Sequence, residues 1–164
     1  ISDDYAFLNS YDYTTFNQFG DMVTRFAFLA RTINSMNGED VRISKRLYIP
    51  TKRLRGFESG RIGPTDGGDY IGGNHTAVIN ASTTLPDFGA NLEKVDFQLF
   101  IDAANVWGVD YDSSLDISTI RSSTGLSVDW YTPIGPLNFS FAQPLSKASS
   151  DKTETFRFNI GTTF

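Results

Sequence analysis

Apolar and polar residues alternate with a period of two in stretch after stretch of this chain, which is the pattern of strands that present one face to hydrocarbon or a core. The end of the chain is clearest. From Thr155 onward, Phe156, Phe158, Ile160 and Phe164 share one face, and Arg157, Asn159, Gly161 and Thr163 the other. In 136–146, Leu137, Phe139, Phe141 and Leu145 oppose Asn138, Ser140 and Ala142. In 118–132, Ile120, Leu126, Val128 and Trp130 oppose Arg121, Ser123, Gly125, Ser127 and Asp129. In 92–107, Val95, Phe97, Leu99, Ile101 and Ala103 oppose Asp96, Gln98, Asp102 and Ala104. Weaker alternation runs through 74–85 (Ala77, Ile79, Ala81 and Leu85 against Thr76, Asn80 and Ser82). It recurs in 20–32, where Phe26, Phe28 and Ala30 oppose Arg25, Ala27 and Arg31, and in 4–15, where Tyr5, Phe7, Tyr11 and Tyr13 oppose Ala6, Leu8, Ser10 and Asp12.

These stretches predict about seven strands, and the connections between them alternate in length. Residues 17–20, 86–91 and 133–136 are short, turn-like links; 34–71, 108–117 and 147–153 are longer and are expected to be polar loops. Short turns on one rim and long loops on the other mark an outer-membrane barrel, whereas soluble sandwiches show no such asymmetry. The polar faces hold Ser, Thr, Asn and Gln with isolated charges, which suits a wet lumen better than the Lys- and Glu-rich outside of a soluble sheet. The expected fold is therefore all-β, an antiparallel transmembrane β-barrel. An odd number of strands cannot close a bacterial single-chain barrel, and a bilayer does not tolerate raw sheet edges, so the 164 residues are expected to be part of a larger barrel.

Composition adds exclusions. There is no cysteine and only one histidine, His75, so neither a disulfide framework nor a thiolate or histidine-rich metal site is expected. The net charge of −5 argues against a nucleic-acid partner, which needs a basic face. No apolar run reaches the roughly 20 residues of a spanning helix, a fact silent about barrels. The start, Ile1-Ser2-Asp3-Asp4, has neither Met nor a signal-like segment and reads as mid-protein. Gly67-Gly68-Asp69 and Gly72-Gly73-Asn74 lack the strand–glycine–helix setting of a nucleotide site. Asp110, Asp112 and Asp116 would suit loose calcium binding but lack the Gly and terminal Glu of an EF-hand loop. With no Ser/His/Asp order to build a hydrolase, no enzyme activity and no cofactor are expected. Trp107 and Trp130 lie near strand ends and read as interface-belt residues. Arg42, Lys45, Arg46, Lys52, Arg53, Arg55 and Arg61 make the long loop basic; lipopolysaccharide phosphates, acidic wall residues or plain solvent are all open as their partners.

Several motifs occur in order. Leu54-Arg55-Gly56-Phe57 and Ile62-Gly63-Pro64 sit in the long loop, followed by Gly72-Gly73-Asn74. Phe100-Ile101-Asp102-Ala103-Ala104 lies in a strand, and Trp130-Tyr131-Thr132-Pro133-Ile134-Gly135-Pro136 and Phe141-Ala142-Gln143-Pro144 follow. Phe156-Arg157-Phe158-Asn159-Ile160-Gly161 leads to Phe164. Over about 47–164, and more weakly over 5–33, this ordered set resembles the BamA family of outer-membrane assembly factors. Arg-Gly-Phe alone would mean little; the order is specific.

The resemblance implies that the chain supplies about seven C-terminal strands of an expected, roughly sixteen-stranded barrel. The whole of 1–164 would be barrel, 34–71 an extracellular loop, and the family's periplasmic POTRA domains absent. It implies an insertase at the core of a BAM complex in the bacterial outer membrane, with unfolded outer-membrane β-barrel clients, outer-membrane lipid and the BAM lipoproteins as partners. Arg55 would fold inward onto Asp102, with Gly56 giving a tight turn and Phe57 packing on the wall; residue type alone would leave Arg55 a solvated loop arginine. Phe156, Phe158, Ile160, Gly161 and Phe164 would belong to a terminal strand that forms a lateral gate, or else an ordinary closing strand with an aromatic anchor. Two departures stand out: Ala104 replaces the family's usual Gly, and Ser82 stands where many members carry a Glu facing the loop arginine. The alternatives are a related translocation or assembly pore (TamA-like or two-partner secretion), a passive porin, and a soluble β-sandwich binding module.

Overall fold

The alternation organises the chain into a seven-stranded antiparallel meander. The computed structural model describes residues 5–86 and 94–161. The strands are β1 (Ala6–Phe19), β2 (Met22–Ser35), β3 (Thr65–Asp66), β4 (Asp69–Tyr70), β5 (His75–Thr84), β6 (Val95–Trp107), β7 (Arg121–Thr132), β8 (Gly135–Ser146) and β9 (Phe156–Ile160). The sheet order is β1-β2-β5-β6-β7-β8-β9, and β3 and β4 form a separate small hairpin within the long loop. Among the described residues, β1 and β9 are the two edges.

Register turns the alternation of each strand into continuous rows. Leu99, Leu126, Phe141 and Phe156 are successive partners across β6 to β9, and so are Phe97, Val128, Phe139 and Phe158. On the opposite face Ala27, Asn80, Asp102 and Ser123 align, as do Gln98, Ser127, Ser140 and Arg157. The apolar rows are the exposed ones: Leu99, Ile101, Phe141, Phe156, Phe158 and Ile160 face out, while Asp102, Ser123, Ser127, Asn138 and Ser140 are buried. A soluble sheet buries the first set and wets the second. The inverted arrangement is that of a transmembrane barrel wall, with lipid outside and polar side chains inside. A sandwich core for the Phe156/Phe158/Ile160 row is excluded by the same exposure.

Several boundaries differ from the sequence reading. The first strand continues to Phe19, and the turn is Gly20-Asp21 rather than 17–20, because Phe19 pairs with Met22 across a two-residue turn and Gly20 adopts φ +60°. The strand expected from 118 starts at Arg121, so Ile120 lies in the loop. Among the described residues the terminal strand runs to Ile160; Gly161 takes φ +109° and its N–H donates to the Pro136 carbonyl, and the expected continuation to Phe164 lies outside the described residues. Most of the 86–91 link lies outside them as well. The largest correction concerns 34–71: it is not a merely polar loop, since Val41, Ile49, Leu54, Phe57, Ile62 and Ile71 are buried.

The two faces respond oppositely to charge. Replacing outward Ile101 by Arg in the membrane-embedded protein is expected to cost about 2–4 kcal/mol at mid-bilayer depth. Urea unfolding in lipid vesicles measures it, and a change below a few tenths of a kcal/mol would contradict a lipid-facing row.

Candidate functional site

The concave face is occupied by the long loop, and apolar packing brings it there. Ile49, Leu54, Phe57 and Ile62 from the loop form one buried cluster with Leu29, Val78, Ala104 and Val106 from the wall. Each such side chain contributes about 1.5–3 kcal/mol when fully buried. Ala104 is part of this cluster. Two glycines let the backbone come close. Gly56 (φ +86°) leaves room where a Cβ would sit 3.1 Å from the Ala142 Cβ; at Gly63 (φ +105°) a Cβ would stand 2.4 Å from Val106 Cγ1.

This packing aims Arg55 at the wall. Its Nε and Nη2 donate to the two oxygens of Asp102 at 2.8 Å each, a bidentate pair, and its backbone N–H donates to Oδ2 at 3.2 Å. The guanidinium lies 3.5 Å from the centre of the Phe100 ring. Gly125 makes that ring position possible, because a Cβ there would meet Phe100 Cζ at 2.8 Å. The Ser123 hydroxyl donates to the Arg55 carbonyl at 2.5 Å. Asn80 bridges the Asp102 carboxylate and the Arg53 carbonyl at 2.8 and 2.7 Å. The Asp102 side chain is 0 % exposed and that of Arg55 13 % exposed, so the pair is shielded from water. Ser82 is buried on this face and places no second carboxylate beside Arg55.

Two other loop cations, Arg53 and Arg46, meet acids. Arg53 makes a bidentate contact with Asp12 on β1, at 2.8 and 3.0 Å. Arg46 donates to Asp110 at 2.7 Å, and Asp110 also accepts from the Val41 N–H and the Asn74 amide. Burial alone would push the Asp110 carboxyl up, but the Asn74 and Val41 hydrogen bonds and the Arg46 charge together hold it below the usual carboxylate range. Asp116 accepts from the Gly108 and Val109 N–H groups, and Asp112 caps the turn at Ser114. The three loop aspartates thus serve separate loop contacts instead of converging on one point.

Sequence reasoning missed a second anchor. Arg121 at the start of β7 donates through Nε and Nη2 to Asp151 at 2.8 and 3.0 Å, with both side chains 0 % exposed. Asp151 also accepts from the Ala148 and Gly63 N–H groups. Arg121 stood on the predicted polar face, but nothing in 147–153 marked Asp151 as its partner. Beside it, Phe57 pairs with Thr153 in an isolated antiparallel bridge. Arg157 on β9 donates to the Thr51 and Phe57 carbonyls and to Glu154.

The remaining predicted residues sit away from this cluster. Trp107 ends β6 beside His75 at the long-loop rim, and Trp130 lies toward the other end, in register with Val95 and Leu137. Phe156, Phe158 and Ile160 are on the outer face of β9. His75 begins β5, with its Nδ1 2.7 Å from the Thr32 hydroxyl.

An inward loop locked to a barrel wall can be compared with known proteins. The Omp85 superfamily domain matches residues 6–164. The chain belongs to the Omp85 superfamily. This Omp85 domain is 34 % identical to the outer membrane protein assembly factor BamA of Neisseria meningitidis, in a match covering 68 % of the chain and 17 % of that protein. It is 32 % identical to BamA of Nitratidesulfovibrio vulgaris, covering 76 % of the chain and 16 % of the relative. Its fold is similar to the crystal structure of Haemophilus ducreyi BamA lacking POTRA domains 1–3, with TM-score 0.84 and 26 % identity over 95 % of the chain and 35 % of that structure. The chain therefore spans under a fifth of the length of these two curated relatives.

Two outcomes are expected. Arg55→Ala strands a buried carboxylate and should weaken loop docking by about 3–5 kcal/mol, read as faster modification of a cysteine placed at Ile62, which the docked loop buries; unchanged modification would show that the ion pair does not hold the loop. Asp110 titrates lower in the folded protein, so its contribution is complete above the unfolded carboxylate value of about 3.9 and is lost as pH falls through the lower folded one. Loop proteolysis should therefore be flat from pH 7 to about 5, while Asp110→Asn should raise it at neutral pH.

Proposed function

We propose that this domain is the C-terminal wall of a BamA-type insertase barrel in the outer membrane of a Gram-negative bacterium. The observation that carries the reading is the long loop held on the inner wall by the shielded Arg55–Asp102 pair, behind an outer face of exposed apolar rows. The names of its relatives, outer membrane protein assembly factors, support the same reading. Its clients would be unfolded β-barrel proteins, and its partners the outer-membrane lipid and the lipoproteins of a BAM complex. The work is lowering the barrier to strand insertion, with no covalent chemistry, no nucleotide hydrolysis and no cofactor. A loop packed against the inner wall speaks against a passive porin, which needs an open channel.

The terminal strand is the proposed gate. β9 pairs with β8 over five residues, Phe156 to Ile160, whereas the β1–β2 ladder runs the full length of both strands. A short edge strand gives up few hydrogen bonds on opening, and an exposed edge templates a new strand by main-chain pairing.

The test uses the full-length protein as the sole copy in its host. Phe158→Cys, crosslinked to a cysteine in the first strand of the complete barrel, should stop client assembly, and reduction should restore it. Assembly that proceeds at the same rate with the seam locked would end the gate proposal. Large, steady ion conductance that is insensitive to Arg55→Ala would instead favour a porin.

A further inference from the structure

The long loop and the approach to the terminal strand are stitched together along their whole contact. Glu58 N–H donates to the Lys152 carbonyl at 3.0 Å, Lys152 N–H to the Arg61 carbonyl at 3.0 Å, and Glu154 N–H to the Gly56 carbonyl at 3.2 Å. With the isolated Phe57–Thr153 bridge, these bonds hold 56–61 against 152–154, just before β9 begins. The chain then returns to the wall, where Ala142 N–H donates to the Thr155 carbonyl at 2.8 Å. Two residues later comes Arg157, the one cation among the residues of β9. Its guanidinium reaches three groups: the carbonyls of Thr51 and Phe57, on either side of Arg55, and the carboxylate of Glu154. Asp151 closes the other end by accepting from Gly63 of the loop while it pairs with Arg121 of β7.

We infer that the long loop and β9 dock as one cooperative unit, with Arg157 as the positioning residue that couples them. The physical case rests on what is lost if only one moves. Moving the loop alone strands a guanidinium that is 10 % exposed and removes two of its acceptors. Moving β9 alone leaves the Thr51 and Phe57 carbonyls without that donor and pulls on 152–154, which the loop holds just before β9 begins. Among the described residues β9 has five pairs with β8, and the contacts of Arg157 with the loop add to what holds it. Coupling of this kind is reciprocal: whatever loosens the loop loosens the strand, and the reverse. The inference depends on the insertase reading only for its consequence, that release of the loop and release of the gate strand are the same event.

Hydrogen exchange on the full-length protein in lipid nanodiscs tests it with two variants that act from opposite ends. Arg157→Gln removes the coupling charge; Gly63→Ala pushes the loop off Val106 without touching β9. Exchange is compared in three segments: 62–73 of the loop, 157–161 of the terminal strand, and 15–19 of β1 as a control away from the docked loop. The expected result is a rise of about tenfold or more in both 62–73 and 157–161 for either variant, the size that a lost hydrogen bond to a charged group gives, with the control unchanged. Arg157→Lys, which keeps the charge but not the fork, should recover part of the protection. The inference is overturned if Gly63→Ala speeds exchange in 62–73 but leaves 157–161 within twofold. It is equally overturned if Arg157→Gln affects 157–161 alone, or if all three segments rise together. Should Arg157→Gln not fold, Arg157→Lys and Gly63→Ala carry the same comparison. Client insertion is measured separately on the same variants: coupled exchange with no insertion activity in the unmodified protein would fault the functional reading and leave the coupling intact.

Discussion

A carboxylate shut away from water has to be answered, and Asp102 is the point at which the inner wall makes that demand. An unpaired charge at such a site would cost several kcal/mol, so the wall is complete only when Arg55 arrives. Everything near the pair follows from that geometry. Asn80 takes up the flank of the Asp102 carboxylate, Ser123 fixes the Arg55 carbonyl, and Gly125 clears the space in which Phe100 lies under the guanidinium. The pair is better understood as a device for registering the loop than as a net source of stability. Buried ion pairs often stabilise no more than apolar residues of the same shape would, yet removing one partner is strongly unfavourable. The apolar cluster around Leu54 and Phe57 supplies the driving force, and the ions decide where the loop stops.

The membrane imposes the complementary constraint on the other side. With lipid against Leu99, Ile101, Phe141 and Phe156, no hydrophobic gain is left for hiding those rows, and the lumen side must carry its own polar satisfaction. That is why the buried polar residues of β6 to β8, among them Asp102, Ser123, Ser127, Asp129 and Asn138, are hydrogen-bonded, with Gln98 and Asn138 both donating to Asp129. The loop then covers the upper part of this polar wall with an apolar core of its own. The domain has two hydrophobic regions of different origin, one solvated by lipid and one buried beneath the loop.

Much of this was legible in the sequence, and the reason is periodicity. In 92–107 and 136–146 a strict alternation assigned strand, face and register together, because a one-residue slip would reverse every side chain. Asp102 could be placed inward on that basis, and the loop motif supplied its partner. What periodicity cannot encode is contact across long chain separations in irregular backbone. Arg121 was visible as an inward cation, but Asp151 lies in a connection with no repeat to locate it, and their pairing exists only because the 147–155 segment folds back over the loop. The same limit explains the misreading of 34–71 as polar: Val41, Ile49, Leu54 and Ile62 are spaced irregularly, so they carry neither a helical nor a strand period although they form a core. Boundaries moved by a few residues where a backbone angle, not a side-chain pattern, ends the strand, as at Gly20.

The end of β9 shows how these levels meet. Its outward residues, Phe156, Phe158 and Ile160, continue apolar rows that begin on β6, so lipid holds the strand in the wall whether or not its free edge is paired. Its inward residue Arg157 ties it to a loop that is itself fixed by Asp102. One strand is therefore subject to two different solvents and one polar tether. For the proposed gate, lipid contact would not discriminate between a closed and an open seam, because the same apolar side chains would remain in hydrocarbon in both. The tether does discriminate, since its acceptors lie on a single docked loop conformation. On the proposed gate reading, control over the edge therefore lies on the lumenal side of the sheet, in a handful of charged groups, and not in the larger apolar surface that faces the membrane.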